Sequence, residues 1–267
     1  MNEFGLIAGN GVFPIEVAQA ARGRGMRVVA IAHRGESLPE LEQHCDQLTW
    51  IKVGELDRMI AVLKDAGVKR AAMAGGISRE RLKDSFSPDQ RTMKMLARIG
   101  RLSDDSVLRG VAEEIESAGI EVIDPAPMLD GALALEGRQA GPAPTPAQLN
   151  DLELAFTVAR QVGAYDIGQT VAVSDGVVAA VEAVEGTDAA LRRAAALSGR
   201  GLVIAKASKP GQDVRFDRPA IGPQTIELLA ELGAALIGIE AHKTLLLERV
   251  RTLELADARS VTVYGHA

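Results

Sequence analysis

Short apolar segments alternate with helix-forming segments along the first 123 residues, and this alternation constrains the fold more than any other feature. We predict strands at 4–8, 27–32, 48–53, 70–74 and 120–123, with helices between them. Repeated strand–helix units form a parallel sheet with right-handed crossovers, because a helix must carry the chain back across the sheet before the next strand. The first half of the chain is therefore predicted to be a Rossmann-like domain.

The second half has a different pattern. Pro and Gly residues concentrate between 124 and 148, which indicates a linker. Beyond it, Asp175-Gly176 joins two strand-like segments as a hairpin turn, and further strands and helices follow. The predicted fold class is α/β, with an N-terminal Rossmann-like parallel-sheet domain and a C-terminal α/β catalytic domain that has a mixed sheet. The predicted boundaries are 1–130, a linker at 131–145, and 146–267.

Composition excludes several classes of protein. The chain has 267 residues and a net charge of −6, so no large basic surface for nucleic acid is expected. Cys45 is the only cysteine, which excludes an intrachain disulfide and a thiolate zinc site. We see no secretory signal and no apolar run long enough to span a bilayer, and these features predict a cytoplasmic protein.

Two glycine-rich turns follow predicted strands of the first half. Gly9 and Asn10 follow the first strand, and Gly75 and Arg79 lie after the fourth. The carboxyl ends of parallel strands are where open α/β sheets bind ligands, so these residues are candidates for substrate binding, although a tight turn would use the same glycines. A nicotinamide cofactor is disfavoured because Pro14 replaces a third glycine and no clear acid ends the second strand.

An acidic corner is predicted near the hairpin. Glu182, Thr187 and Asp188 lie at a strand end and at the start of a helix. Thr187 could cap this helix or receive a phosphate, and the carboxylates could hold a hard cation such as Mg²⁺. A solvated turn with a good cap is the structural alternative.

The segment 206–222 carries the densest opposite charges of the chain. Pro210, Gly211 and Pro219 exclude a continuous helix through it. If the segment is extended, alternate residues face one side, so a carboxylate–cation–carboxylate row could orient a metal-bound water at a phosphorus atom. Salt bridging alone is the structural alternative. The candidate residues of this segment are Lys206, Lys209, Gln212, Asp213, Arg215 and Asp217.

These segments together resemble the LpxI-type UDP-2,3-diacylglucosamine pyrophosphatases of lipid A biosynthesis. The likeness runs along nearly the whole chain. It is carried most specifically by two blocks, Val181-Glu182-Ala-Val-Glu185-Gly186-Thr187-Asp188-Ala-Ala-Leu-Arg192-Arg193 and Lys206-Ala-Ser-Lys209-Pro-Gly-Gln212-Asp213-Val-Arg215-Phe-Asp217.

The resemblance implies a hydrolase that splits the diphosphate of UDP-2,3-diacylglucosamine into UMP and 2,3-diacylglucosamine 1-phosphate (lipid X). It implies a divalent cation, expected to be Mg²⁺, a homodimer, and a cytoplasmic location peripheral to the inner membrane. Asp217 matches the catalytic aspartate of the family. We predict Asp217, Asp213 and Lys206 as catalytic residues and Asp217, Asp213 and Glu182 as metal ligands. A non-catalytic lipid or nucleotide-sugar binding module is the alternative.

Overall fold

The chain forms two compact units in a computed structural model that describes residues 2–78, 86–100 and 104–267. Unit 1 comprises the residues up to Asp130 together with Asp213–Asp217. Unit 2 comprises Gly131–Gln212 and Arg218–Ala267. The short segment Asp213–Asp217 therefore comes from the second half of the sequence but belongs to the first unit, which the predicted boundaries did not anticipate.

Unit 1 follows the predicted strand–helix alternation. Its strands are β1 (Glu3–Ala8), β2 (Arg27–His33), β3 (Gln47–Ile51), β4 (Arg70–Ala74) and β5 (Glu121–Val122). Its helices are α1 (Phe13–Gly23), α2 (Leu56–Asp65), α3 (Gln90–Arg98) and α4 (Asp104–Ser117), with 3-10 turns at Pro39–His44 and Ala126–Met128.

The sheet of unit 1 is parallel throughout and has the order β3-β2-β1-β4-β5. Its two faces are covered, as the alternation along β1 shows. Leu6 and Ala8 enter one apolar cluster, with residues of α1, and Ile7 enters the other, with residues of α2 and α4. The order of the strands reverses between β1 and β4, and ligands of open α/β sheets bind beyond the carboxyl ends of the strands at such a switch point.

Unit 2 contains the remaining elements. Its strands are β6 (Gly137–Ala140), β7 (Thr170–Ser174), β8 (Val177–Val181), β9 (Val203–Lys206), β10 (Ala220–Ile221), β11 (Leu236–Glu240), β12 (Leu245–Leu246) and β13 (Thr262–His266). Its helices are α5 (Pro146–Ala164), α6 (Thr187–Ser198), α7 (Pro223–Glu231) and α8 (Arg249–Arg259).

The main sheet of unit 2 is mixed and has the order β6-β13-β11-β9-β7-β8. β9, β11 and β13 are parallel, whereas β6 and β7 run antiparallel to their neighbours and β8 closes the predicted hairpin with β7. The hairpin turn uses Asp175 and Gly176 with positive φ angles of 49° and 77°, as an Asp-Gly turn requires. The predicted fold class, a parallel sheet followed by a mixed sheet, is confirmed.

Two strands of this sheet lie outside the predicted elements. β6 falls within residues 131–145, which were predicted as a linker, and pairs with β13 at the edge of the sheet. An edge strand needs only one hydrogen-bonded neighbour, so it tolerates the glycines that surround β6. β13 was missed because Tyr264, Gly265 and His266 dilute its apolar pattern.

Packing of the turns after β1 and β4 gives a direct test of this fold. Gly75 and Gly67 both have positive φ angles, 81° and 78°, but only at Gly75 would an added Cβ collide with backbone, at the carbonyl oxygen of Asn10. We expect Gly75→Ala to lower the free energy of unfolding by about 3 kcal/mol and Gly67→Ala by about 1 kcal/mol. Chemical unfolding of both variants measures the difference. Equal losses would contradict the close approach of the two turns.

Candidate functional site

The turns after β1 and β4 contact each other through backbone atoms and through the Asn10 side chain, whose Oδ1 accepts from the Gly76 amide at 3.3 Å. The Gly9 amide donates to the Ala74 carbonyl at 2.8 Å, and the Asn10 amide donates to the Gly76 carbonyl at 2.8 Å. A Cβ at Gly9 would collide with the carbonyl of Gly76. The structure therefore brings together the predicted residues Gly9, Asn10 and Gly75 at the switch point of the sheet, and their glycines are needed for this approach.

A buried carboxylate lies against the same turns. Glu36 follows β2 and is only 3% exposed. Its Oε2 accepts hydrogen bonds from Asn10 Nδ2 at 3.4 Å and from the Ser78 amide at 3.2 Å. The sequence reading found no acid after β2 because Glu36 stands three residues beyond the end of the strand. We call Asn10, Glu36, Gly75 and Ser78 the switch-point cluster.

His33, the last residue of β2, contacts the end of β1 beside this cluster. Its ring Nδ1 lies 2.8 Å from the Ala8 carbonyl, so this nitrogen carries the proton and donates. Burial lowers the pKa of His33, against the smaller opposing effects of the Ala8 hydrogen bond and the Glu36 charge. A neutral imidazole therefore fixes the end of β1 without adding a charge.

A second polar cluster stands at the carboxyl ends of β9 and β11 in unit 2. Lys206 ends β9 and donates from Nζ to the Ala220 carbonyl at 3.1 Å. Glu240 ends β11, is 4% exposed, and accepts from the Ser208 amide at 2.8 Å and from Arg160 at 3.2 Å. Burial disfavours the charged form of Glu240, but the hydrogen bonds from Ser208 and the nearby cations outweigh it and lower the pKa of this carboxyl.

The loop after β9 continues this cluster. Lys209 Nζ donates to Asp166 at 2.7 Å, and the Lys209 amide donates to Gln212 Oε1 at 2.8 Å. Several buried polar atoms nearby have no hydrogen-bond partner among the described residues. They are Gln169 Oε1, Thr170 Oγ1 and Gln212 Nε2. Thr170 is the register partner of Lys206, so the start of β7 lies at the same edge of the sheet as the end of β9.

In the predicted acidic corner, Glu182 accepts hydrogen bonds from neighbouring residues of the protein. Glu182 is 9% exposed and accepts from the Thr187 hydroxyl at 2.8 Å and from the Gln169 amide at 3.4 Å. The hydroxyl of Thr187 thus binds Glu182, and the N-cap of α6 is Gly186 without a side-chain cap, so the interpretation of Thr187 as a cap is wrong. Asp188 is exposed in the first turn of α6.

The segment Asp213–Asp217 is held in unit 1 by Arg215. The guanidinium donates to both oxygens of Asp213, from Nε at 2.9 Å and Nη2 at 2.7 Å, and to Glu116 of α4 at 2.7 Å. The hydrogen bond from Arg215 is the largest effect on Asp213 and lowers the pKa of its carboxyl. Phe216 packs against the apolar cluster of α2 and α4.

This segment is a helical turn and not an extended strand. The Asp217 amide donates to the Asp213 carbonyl at 3.0 Å, and the Phe216 amide donates to the same carbonyl at 3.2 Å. The predicted row of alternating side chains on one side of a strand is therefore wrong. Proline and glycine exclude only a long helix, and one turn fits between Gly211 and Pro219.

Two of the three carboxylates predicted as metal ligands, Asp213 and Glu182, accept hydrogen bonds from neighbouring residues of their own unit. Both oxygens of Asp213 accept from Arg215, and both oxygens of Glu182 accept from Thr187 or Gln169. Within the described ranges, no group of three or more His, Cys, Asp or Glu residues is arranged to hold a metal ion. Mg²⁺ commonly uses only one or two protein carboxylates together with substrate phosphates, so a site of this kind stays a prediction.

Some predictions fall on residues that the structure does not describe. The predicted substrate-binding residue Arg79 lies outside the described residues. Cys45 is half-buried, and burial raises the pKa of its thiol to about 12, which excludes a reactive thiolate at neutral pH. In the part of the chain that is described, no helix is long and apolar enough to cross a membrane.

Comparison with known proteins covers both units. The family described as LpxI N-terminal domain matches residues 3–132, and the family described as LpxI C-terminal domain matches residues 135–264. A protein of Caulobacter vibrioides named UDP-2,3-diacylglucosamine pyrophosphatase LpxI is 36% identical over 277 residues, which cover 99% of this chain and 98% of that protein. The chain belongs to the LpxI family.

Solved structures give weaker matches. The multifunctional pyruvate carboxylase of Rhizobium etli matches 64% of this chain and 14% of its own, with 16% identity and a TM-score of 0.31. The biotin carboxylase subunit of a pyruvate carboxylase matches 76% of this chain and 44% of its own, with 17% identity and a TM-score of 0.29. The chain thus spans less than half the length of these proteins, and TM-scores this low carry no functional argument.

Sequence reasoning missed Glu36, Ser208 and Glu240 as site residues. Glu240 ends β11 as Lys206 ends β9, and an acid at the end of a predicted buried strand is a signal that could have identified it. Glu36 gave no comparable signal, because it stands three residues beyond β2 and its partners, Asn10 and Ser78, are distant in sequence. In this LpxI family member the structure adds these three residues to the predicted candidates.

The contacts of Arg215 predict how firmly its segment is held in unit 1. We expect Arg215→Lys to raise hydrogen exchange at 213–217 roughly fivefold, because one ammonium cannot replace the fork that binds Asp213 and Glu116. Arg192→Lys is the matched control, since Arg192 pairs with Glu231 on an exposed surface of unit 2. Unchanged exchange at 213–217 in Arg215→Lys would contradict the anchoring role.

Proposed function

We propose that this protein hydrolyses the diphosphate of UDP-2,3-diacylglucosamine to UMP and 2,3-diacylglucosamine 1-phosphate, lipid X. The observation that carries the proposal is the 36% identity along 99% of the chain to the Caulobacter vibrioides pyrophosphatase. The reaction is a hydrolysis at a phosphorus anhydride in lipid A biosynthesis.

The residues at the end of β9 fit the charge of this substrate. A diphosphate ester is anionic and repels an attacking hydroxide, so cations near the phosphorus atoms lower the barrier. Lys206 and Lys209 supply two ammonium groups in one loop, and the buried Nε2 donor of Gln212 adds a neutral hydrogen bond. The carboxylate of Asp166 holds Lys209 in place.

Asp217 is the proposed catalytic carboxylate. Asp213 is neutralised by Arg215, so its part is to position the turn, and Asp217 ends that turn and matches the family motif. We propose that Asp217 either takes the proton of the attacking water or holds a divalent cation, expected to be Mg²⁺. The cation would supply a Lewis acid that stabilises charge on the phosphate oxygens.

The chemistry of the substrate supports a location at a membrane. Two acyl chains keep UDP-2,3-diacylglucosamine in a bilayer, so we propose that the protein is cytoplasmic and works at the surface of the inner membrane. A homodimer remains part of the proposal through the family resemblance.

Mutation of Asp217 tests the proposed function. With Mg²⁺ present, we expect Asp217→Asn to release UMP at least about 100-fold more slowly than the wild type while it still binds substrate. Asp65→Asn, an exposed change on α2, is the control and should stay active. Removal of divalent cations with a chelator should stop the wild type, and added Mg²⁺ should restore it.

Each unexpected result would contradict a different part of the proposed function. Full activity of Asp217→Asn would overturn the role of Asp217, and full activity with a chelator would overturn the role of the cation. Substrate binding by the wild type without turnover under any divalent cation would instead support a non-catalytic binding module.

A further inference from the structure

A buried carboxylate at the end of β11 contacts the loop that follows β9 in unit 2. The side chain of Glu240 is only 6% exposed, and its Oε2 accepts from the Ser208 amide at 2.8 Å. Burying a carboxylate costs free energy unless donors satisfy it. Here one of the donors is a backbone amide of the loop, and this amide lies between Lys206 and Lys209 in the sequence. Glu240 therefore connects the end of one strand to the loop that carries both lysines.

Three successive amides fix the path of this loop. The Ala207 amide donates at 2.9 Å to the backbone carbonyl that precedes β7. The Ser208 amide donates to Glu240, and the Lys209 amide donates to Gln212 Oε1 at 2.8 Å. A hydrogen bond from an amide to a carboxylate is roughly twice as strong as one between neutral groups. The contact with Glu240 is therefore the strongest of the three.

Contacts on the other side of Glu240 fix the direction of its carboxylate. Oε1 accepts from Arg160 Nη2 at 3.2 Å and lies 3.5 Å from Lys243 Nζ. The Arg160 guanidinium in turn lies over the ring of Phe156, 5.3 Å from its centroid. With Oε1 turned toward α5 and the turn after β11, Oε2 faces the loop.

The loop also carries polar atoms that the described residues leave unpaired. The Ser208 hydroxyl oxygen and Gln212 Nε2 are buried and have no hydrogen-bond partner within the described ranges. Buried donors are costly unless a ligand meets them. Together with the ammonium groups of Lys206 and Lys209, these donors suit phosphate oxygens. The same residue that Glu240 holds through its amide thus offers its hydroxyl to a ligand.

We propose that Glu240 is a positioning residue for the hydrolysis: by accepting from the Ser208 amide, it holds the loop after β9 in the shape in which Lys206 and Lys209 meet the diphosphate. This inference rests on the proposed function, because that function makes a diphosphate the ligand of the loop. Glu240 itself touches neither the substrate nor the reacting atoms, and it makes or breaks no bond. The reach of its oxygen, more than its charge, performs this role.

Two conservative variants of the full chain separate reach from charge. Glu240→Asp keeps the charge but withdraws the oxygen from the Ser208 amide by one methylene, whereas Glu240→Gln keeps an oxygen at the same reach and removes the charge. We expect kcat/KM for UDP-2,3-diacylglucosamine to fall at least about tenfold in Glu240→Asp and less than about threefold in Glu240→Gln. Glu231→Asp is the matched control, because Glu231 pairs with Arg192 on an exposed surface of unit 2 and should leave kcat/KM unchanged.

Two further measurements separate positioning from a general loss of structure. Without substrate, hydrogen exchange at 207–212 should rise about fivefold in Glu240→Asp and stay within about twofold of the wild type in Glu240→Gln. In a double-mutant cycle with Lys209→Met, the tenfold effect of Glu240→Asp should shrink to less than about threefold, because Glu240 acts through the loop that carries Lys209. If Glu240→Asp does not fold, Glu240→Ala takes its place in each measurement.

The outcomes separate this inference from the proposed hydrolysis. Unchanged exchange at 207–212 in Glu240→Asp, a larger loss of activity in Glu240→Gln than in Glu240→Asp, or an equal loss with and without Lys209 would each overturn it, even in an active pyrophosphatase. If the wild type releases no UMP, the same cycle is measured on the Kd of UDP-2,3-diacylglucosamine. Coupling between Glu240 and Lys209 in binding would then support the positioning role and reject the proposed function, whereas no coupling or no binding would overturn both.

Discussion

Parallel strand pairing is the constraint on which the rest of this structure depends. Strands that run in one direction place all their carboxyl ends at one edge, so the polar residues that follow them lie close together although they are distant in sequence. In unit 1 this pairing brings Asn10, Glu36 and Ser78 together, and in unit 2 it brings Lys206 and Glu240 together. The buried strands themselves are apolar, and the polar candidate residues lie at or just beyond their carboxyl ends.

The segment Asp213–Asp217 adds a second constraint, because it comes from the second half of the sequence but belongs to unit 1. Arg215 makes this possible by pairing with Asp213 inside the segment and with Glu116 outside it, while Phe216 enters the apolar cluster of unit 1. The loop after β9 therefore begins in unit 2, with Lys206 and Lys209, and continues into unit 1. A charged motif that is continuous in sequence thus contributes to both units.

The sequence allowed prediction of those parts of the fold that depend on local pattern. The alternation of strands and helices predicted the parallel sheet, and Asp175-Gly176 predicted the hairpin. Features set by long-range contacts could not be predicted. Nothing local distinguishes β6 from a linker, because the strand with which it pairs, β13, lies more than a hundred residues away. In the sequence Glu36 is an ordinary loop acid, and only the fold buries it. The helical turn at 213–217 is held by a hydrogen bond from Arg215 to Glu116, which is about a hundred residues away in sequence.

The central claim is that the loop after β9 binds the diphosphate of the proposed nucleotide-sugar substrate. Hydrogen exchange of the Asp217→Asn variant, with and without UDP-2,3-diacylglucosamine, tests it most directly, because this variant is expected to bind substrate without hydrolysing it. The account predicts that substrate slows exchange in the loop at 206–212, which carries Lys206 and Lys209. Protection confined to other regions would contradict it.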